Sequence, residues 1–167
     1  MTLQVRRASA AEIVPIRHAV LRPGRPVSTA LYAEDDRAVH VGAWESSSDG
    51  ELLVGCATVF PQPWPGDDDP AAPPPEPGAW RLRGMAVDPS RQGSGAGRQV
   101  LALAVELARA AGAPLLWADG RTSALGFYER LGWQVVGEEY VVAASGLPHR
   151  RIVLDLNGSA EAVGADA

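Results

Sequence analysis

Lysine is missing from this chain: all 15 basic residues are arginine. Its positive charge is therefore independent of pH and closed to lysine acetylation, and a biased genome composition is the simplest source of the pattern. Cysteine is almost missing too. Cys56 is the only one, so no internal disulfide can form, which agrees with a reducing compartment. It lies in the apolar run Leu52–Phe60 and reads as a small buried hydrophobe rather than an acyl-carrying thiol. No apolar run approaches the length of a membrane span, and the first residues lack a charged-then-apolar signal pattern. The cytoplasm is the expected location and no membrane partner is expected. Excess basic charge is lacking as well: the net charge is −5. That argues against nucleic acid, which needs a basic face, and is compatible with a cationic amine acceptor.

What is there organises itself around Trp80–Gly112. Met85-Ala86-Val87 is β-compatible, and Asp88-Pro89 ends it because the residue before proline avoids helical geometry. From Val100, apolar residues at Leu101, Leu103, Ala104, Leu107, Ala108 and Ala111 form one helical stripe. Gly112 fits a left-handed cap and Pro114 follows it. Between strand and helix stand Gly93, Gly95 and Gly97, flanked by Arg91 and Arg98. Glycines so placed let the backbone turn its amides outward at a helix N-terminus, where the dipole favours an anion. The pattern is a phosphate cradle. It is not a dinucleotide fingerprint, because Arg98 stands where the third glycine is needed, and without lysine it is not a P-loop.

The spacing Gln92-x-x-Gly95-x-Gly97 after Val-Asp-Pro resembles the pyrophosphate motif of the GNAT superfamily of acyl-CoA N-acyltransferases. A second segment, Thr122-Ser-Ala-Leu-Gly-Phe-Tyr-Glu-Arg-Leu-Gly-Trp133, is similar to that family's other hallmark. The resemblance covers roughly Leu82–Leu156. The Gly146-Leu-Pro-His149 turn and Leu21-Arg-Pro-Gly-Arg-Pro26 also resemble segments of one group of small GNAT enzymes.

With 167 residues the chain is expected to be one domain, over 1–156, followed by a disordered tail over 157–167. Leu3–Arg7 alternates as a strand, and Ser9-Ala-Ala-Glu12 is a capping box for a helix from Ala10 that Pro15 should kink or delay. Val27–Arg37 is a short helix or irregular. Strands are expected over Ala38–Trp44 and Leu52–Phe60, joined through an Asp-Gly hairpin turn. The Pro/Asp-rich stretch 61–79 reads as a flexible, solvated loop. Strand Leu115–Ala118, helix Ser123–Leu131, strand Trp133–Val142, a turn over Ala144–Pro148 and strand Arg150–Leu156 complete the chain. The order β-α-(α)-β-β-β-α-β-α-β-β is that of an α/β protein with a mixed sheet, consistent with the single-domain GNAT fold.

The resemblance implies transfer of an acetyl group from acetyl-CoA to a primary amine of a small molecule or peptide. It assigns the pyrophosphate to the backbone of Gln92, Gly93, Ser94, Gly95, Ala96, Gly97 and Arg98, and the pantetheine arm to Met85, Ala86 and Val87. Tyr128 matches the family's general acid; its phenol stays protonated at neutral pH and can donate to the leaving thiolate. Phe127 beside it reads as core. Asp119 stands where many relatives carry asparagine, which keeps an acceptor for the pantetheine but loses a donor. For the base, His149 ranks ahead of His40, His18, Glu138 and Glu139. No metal is expected. A homodimer through the last strands is compatible with the sequence. The alternative from another class is a non-catalytic acyl-CoA-binding sensor or scaffold with the same fold.

Overall fold

A computed structural model describes residues 2–157. The tail expected over 157–167 lies, apart from Asn157, outside the described residues. Two compact units emerge, each assembled from separated stretches: Met1–Phe60 with Leu82–Leu107, and Pro61–Arg81 with Ala108–Ala167.

The first unit begins with β1 (Thr2–Ala8) and α1 (Ala10–Leu21). The capping box forms in full: Glu12 N–H donates to Ser9 Oγ at 3.1 Å, and Ser9 N–H donates to Glu12 Oε1 at 2.9 Å. Such a cap contributes about 1 kcal/mol. The helix starts at Ala10, so Pro15 sits inside it without delaying it. Val27–Ala30 and Asp35–Arg37 are single 3-10 turns. Next come β2 (Val39–Ser47) and β3 (Gly50–Pro61). Their hairpin is tighter than expected, with Ser48 and Asp49 as the whole turn, because Gly50 takes a positive φ of 115° and already pairs with Ser47. β4 (Trp80–Val87) and α2 (Ala96–Ala110) follow. The ladder runs β1-β2-β3-β4. Ile13, Cys56 and Ala86 form a buried cluster. Burial pushes the Cys56 thiol up to about 12, so it is the inert hydrophobe the sequence suggests.

In the second unit, Trp80 and Arg81 at the start of β4 pair in parallel with Leu116 and Trp117 of β5 (Leu115–Arg121). α3 (Leu125–Arg130) is shorter than expected because Thr122–Ala124 wind as a 3-10 turn. β6 (Gln134–Val142) and β7 (Leu147–Asp155) then complete the antiparallel ladder β5-β7-β6. β7 starts at Leu147 rather than Arg150. Pro148 is accepted there because it faces only Val141 of β6, beyond the last β5 pair at His149, so its missing N–H breaks no ladder bond on that side. The element order and mixed α/β class are as expected.

The stretch 61–79 corrects the reading as a solvated insertion. It has no helix, but Trp64 is 1 % exposed and clusters with Ala79, Leu115, Trp117, Val136 and Val153. Trp64 also pairs its backbone with Glu76, at 2.9 Å in both directions. The prolines suppress regular structure; the tryptophan nonetheless supplies enough apolar surface to anchor the segment.

Candidate active site

The cradle lies in the first unit. Beyond β4, Asp88 Oδ1 accepts from the Ser90 N–H at 2.9 Å and from the Ser90 hydroxyl at 2.8 Å, which closes the 3-10 turn Pro89–Arg91. Gly93 and Gly95 then take φ of 84° and 90°, in the left-handed region. A Cβ at Gly93 would meet nothing within 4 Å, so conformation rather than space demands glycine there. α2 opens at Ala96 with no acidic side chain in its first turn. The Ala96 N–H donates to Ser94 Oγ at 3.4 Å, and the amides of Gly97 and Arg98 have no helical carbonyl ahead of them, the geometry that favours an anion at a helix N-terminus. Gln92, Gly93, Ser94 and Arg98 are exposed around it, and Met85, Ala86 and Val87 lead into it along β4. Arg91 is not the free cation the sequence suggested: its Nε donates to Glu45 Oε2 at 2.6 Å.

The second unit holds a side-chain network around Asp119. β5 presents Trp117, Asp119 and Arg121 on one face, opposite Val153, Arg151 and His149 of β7. Arg81 Nη2 donates to Asp119 Oδ2 at 2.5 Å. The Tyr140 hydroxyl donates to Asp119 Oδ1, with Arg151 Nε 4.0 Å from the same oxygen. Asp119 therefore has both oxygens engaged by this chain's own side chains. Tyr140 faces His149 across the ladder, their rings 6.5 Å apart and 28° from parallel. Burial first, then the hydrogen bond and charge of Asp119, push the Tyr140 phenol upward, so it stays protonated.

Phe127, expected in the core, is less buried than Tyr128 beside it. Tyr128 is 7 % exposed, flanked edge-on by Phe127 and Trp133, while Phe127 is only half-buried. Burial pushes Tyr128 up to about 12, partly offset by Arg121. His149 is buried, and its Nδ1–H donates to the Leu147 carbonyl at 2.8 Å, which leaves Nε2 as an acceptor. The other candidates are occupied. His40 bonds Thr58 Oγ1 at 2.8 Å and the Asp35 carbonyl at 3.0 Å, half-buried His18 bonds the Arg25 carbonyl at 2.6 Å, and Glu139 accepts from the Thr122 hydroxyl at 3.0 Å. Glu138 lines a cavity with Tyr140 and Arg151. Arg81 and Tyr140 escaped the sequence reading because nothing local reveals which strand lies beside β5.

The fold and site define an α/β protein with a mixed sheet and a glycine-opened helix terminus after its fourth strand. The model of the acetyltransferase (GNAT) family matches residues 12–133. The chain belongs to that family and is a transferase. It is 28 % identical over 146 residues to the uncharacterized N-acetyltransferase YitI of Bacillus subtilis (strain 168), a match covering 86 % of this chain and 91 % of that protein. In fold it is similar to a Lactobacillus plantarum protein assigned as an N-acetyltransferase, with TM-score 0.71, 21 % identity, and 93 % and 99 % of the two chains covered. It is also similar to a Bacillus subtilis acetyltransferase solved in complex with CoA, with TM-score 0.62, 18 % identity, and 92 % and 99 % covered.

Proposed function

We propose that this chain, with residues 1–156 as its catalytic domain, transfers an acetyl group from acetyl-CoA to a primary amine of a small molecule or peptide by direct attack. The observation that carries this reading is the cradle: two positive-φ glycines opening α2, with no acidic side chain in the helix's first turn. The diphosphate of acetyl-CoA suits it, gaining roughly 0.3–2 kcal/mol from the helix dipole alone. The backbone of Gln92 to Arg98 holds that diphosphate in this reading, and Met85, Ala86 and Val87 pair with the pantetheine arm. The relative solved with CoA supports the choice of donor. Asp119, already bonded to Arg81 and Tyr140, meets the arm through its backbone rather than its side chain.

Tyr128 acts on the leaving thiolate. A thiol has a reference pKa of about 8.5, well below that of the buried phenol. Tyr128 therefore stabilises the departing sulfur chiefly as a hydrogen-bond donor, with full proton transfer late. His149 is poised, by its Nδ1–H bond to Leu147, to accept a proton at Nε2.

Calorimetric titration with acetyl-CoA, with NAD and ATP as controls, tests the reading. Acetyl-CoA is expected to bind selectively, and Gly95→Val to weaken it about tenfold, since a side chain in the left-handed region costs roughly 1–2 kcal/mol. Tyr128→Phe is expected to lower turnover about a hundredfold with affinity for acetyl-CoA retained. Tight NAD or ATP binding instead would sink the proposal. Acetyl-CoA binding without thiol release for any amine would favour the sensor.

A further inference from the structure

β4 carries a guanidinium that the reading above leaves unused. Arg83 stands two residues before Met85, and its side chain is 28 % exposed. In that reading the donor runs from the cradle back along Val87, Ala86 and Met85, so its acetyl end comes to Gly84 and Arg83. What surrounds those two residues, within the same compact unit, meets the acceptor. We propose that Arg83 and the Tyr32 hydroxyl anchor the acceptor by a carboxylate, so that the amine acetylated belongs to a small amino acid. The inference rests on the acyl-transfer reading and narrows its acceptor class.

Tyr32 is fixed against β4 by stacking. The Arg17 guanidinium lies 3.9 Å over its ring, and the Arg83 guanidinium also lies at 3.9 Å. Two planar groups cannot share one face at that distance, so the ring sits between them. The Tyr32 N–H donates to Asp35 Oδ2 at 3.0 Å, which holds the backbone of the turn. At Gly84, where φ is 63°, a Cβ would lie 3.3 Å from Tyr32 Oη and 3.1 Å from its Cε2. The phenol hydroxyl therefore lies against the strand one residue before Met85. Tyr32 is half-buried, and its hydroxyl has no hydrogen-bond partner among the described residues.

The two arginines differ in what they have left to give. Arg17 is sealed: its Nη1 and Nη2 donate to Asp35, the Ala30 carbonyl and the Thr58 hydroxyl. Arg83 is open. Its Nη1 meets Glu34 Oε2 at 3.4 Å, longer than the ordinary N–H···O range of about 2.7–3.2 Å. Glu34 orients the side chain and leaves Nε and Nη2 uncovered. Those two nitrogens hold their N–H donors in one plane, a fork that matches the two oxygens of a carboxylate. Stacking on Tyr32 fixes the plane, and the phenol O–H supplies one more donor.

The spacing suits a small acceptor. At about 3.3 Å per residue along a strand, Arg83 lies about 7 Å before Met85. A charge-assisted hydrogen bond of about 2.8 Å covers part of that distance, and an amine one carbon away from its carboxylate covers the rest. The free amine and terminal carboxylate of a peptide stand too far apart to occupy both positions.

Acetyl-CoA affinity is first measured by calorimetry for the full chain and for Arg83→Gln, and the two should agree. Thiol release is then followed with acetyl-CoA and each common amino acid, and with the matching amine that lacks the carboxylate. At least one amino acid should be turned over, and its carboxylate-free twin about tenfold less efficiently or worse. Arg83→Gln should raise KM for that amino acid about 10–100-fold with kcat little changed, and leave the twin unaffected. Arg83→Lys should recover only part of the loss, because it keeps the charge without the fork. Tyr32→Phe should raise KM about fivefold. Absence of acetyl-CoA binding sinks the acyl-transfer reading, and this proposal with it. Where acetyl-CoA binds normally, three results overturn this proposal alone: no amino acid releases thiol, a twin is used as well as its amino acid, or Arg83→Gln weakens both alike or neither.

Discussion

Two arginine–aspartate pairs in this chain use the same chemistry for opposite ends. Arg17 and Asp35, in the first unit, are sealed. The Arg17 side chain is 0 % exposed and meets Asp35 through two bonds of 2.9 and 3.1 Å, the Ala30 carbonyl at 2.8 Å and the Thr58 hydroxyl at 2.7 Å. Thr58 in turn bonds His40, and the Arg17 guanidinium lies 3.9 Å over the Tyr32 ring. Arg81 and Asp119, in the second unit, remain 18 % and 23 % exposed, and their partner Tyr140 opens onto a cavity. The first pair ties a helix to a 3-10 turn and a strand. In the second, Arg81, Asp119 and Tyr140 join three strands and stay partly open to solvent. Residue type does not separate a sealed network from an open one; burial does.

The comparison breaks first, and hardest, on stability. Arg17→Met strands Asp35 in a part-buried site and should cost about 3–5 kcal/mol, read as a lower urea midpoint. Asp119→Asn, at a partly solvated pair, should cost only about 1 kcal/mol by the same measure. Equal losses of stability would show that the two networks do the same job.

A smaller effect is expected at Gly84, where φ is 63° and an added Cβ would lie 2.9 Å from Arg17 Nε and 3.1 Å from Tyr32. Gly84→Ala should cost about 1–3 kcal/mol by strain against the sealed network. A neutral outcome in thermal unfolding would mean that Arg17 can move.

The smallest effect is on pH dependence. Burial raises Asp35, but the hydrogen bond from Arg17, the Tyr32 N–H and the charges of Arg17 and His40 together hold it below the ordinary carboxylate value. A depressed folded pKa contributes stability that is present above the unfolded value, near 4, and is lost as pH falls through the folded one. The melting temperature should therefore drop below about pH 4, and Asp35→Asn should flatten that drop. An unchanged slope would remove Asp35 from the account.

Local features were legible because their causes are local. The Ser9–Glu12 box, the Gly93/Gly95 loop and the α2 stripe each depend on residues a few positions apart. The cap closing α2 is equally local: Gly112 N–H bonds the Arg109 carbonyl at 2.9 Å, and Ala113 N–H bonds that of Ala108 at 3.1 Å. The stretch 61–79 misled because its prolines speak only about regular structure. Trp64 is anchored by Trp117, whose ring centroid lies 5.6 Å away although the two residues are 53 positions apart in the chain.

By itself, then, the sequence determined the order of elements, the cradle and the family, since spacing within a turn or a helix face carries that information directly. Only the tertiary structure decided that Tyr128 rather than Phe127 is buried, that Arg91 is spent on Glu45, and that Tyr140 bonds Asp119. Each of these depends on how helices, turns and strands pack, which brings distant residues within a few ångströms and which no short-range pattern encodes.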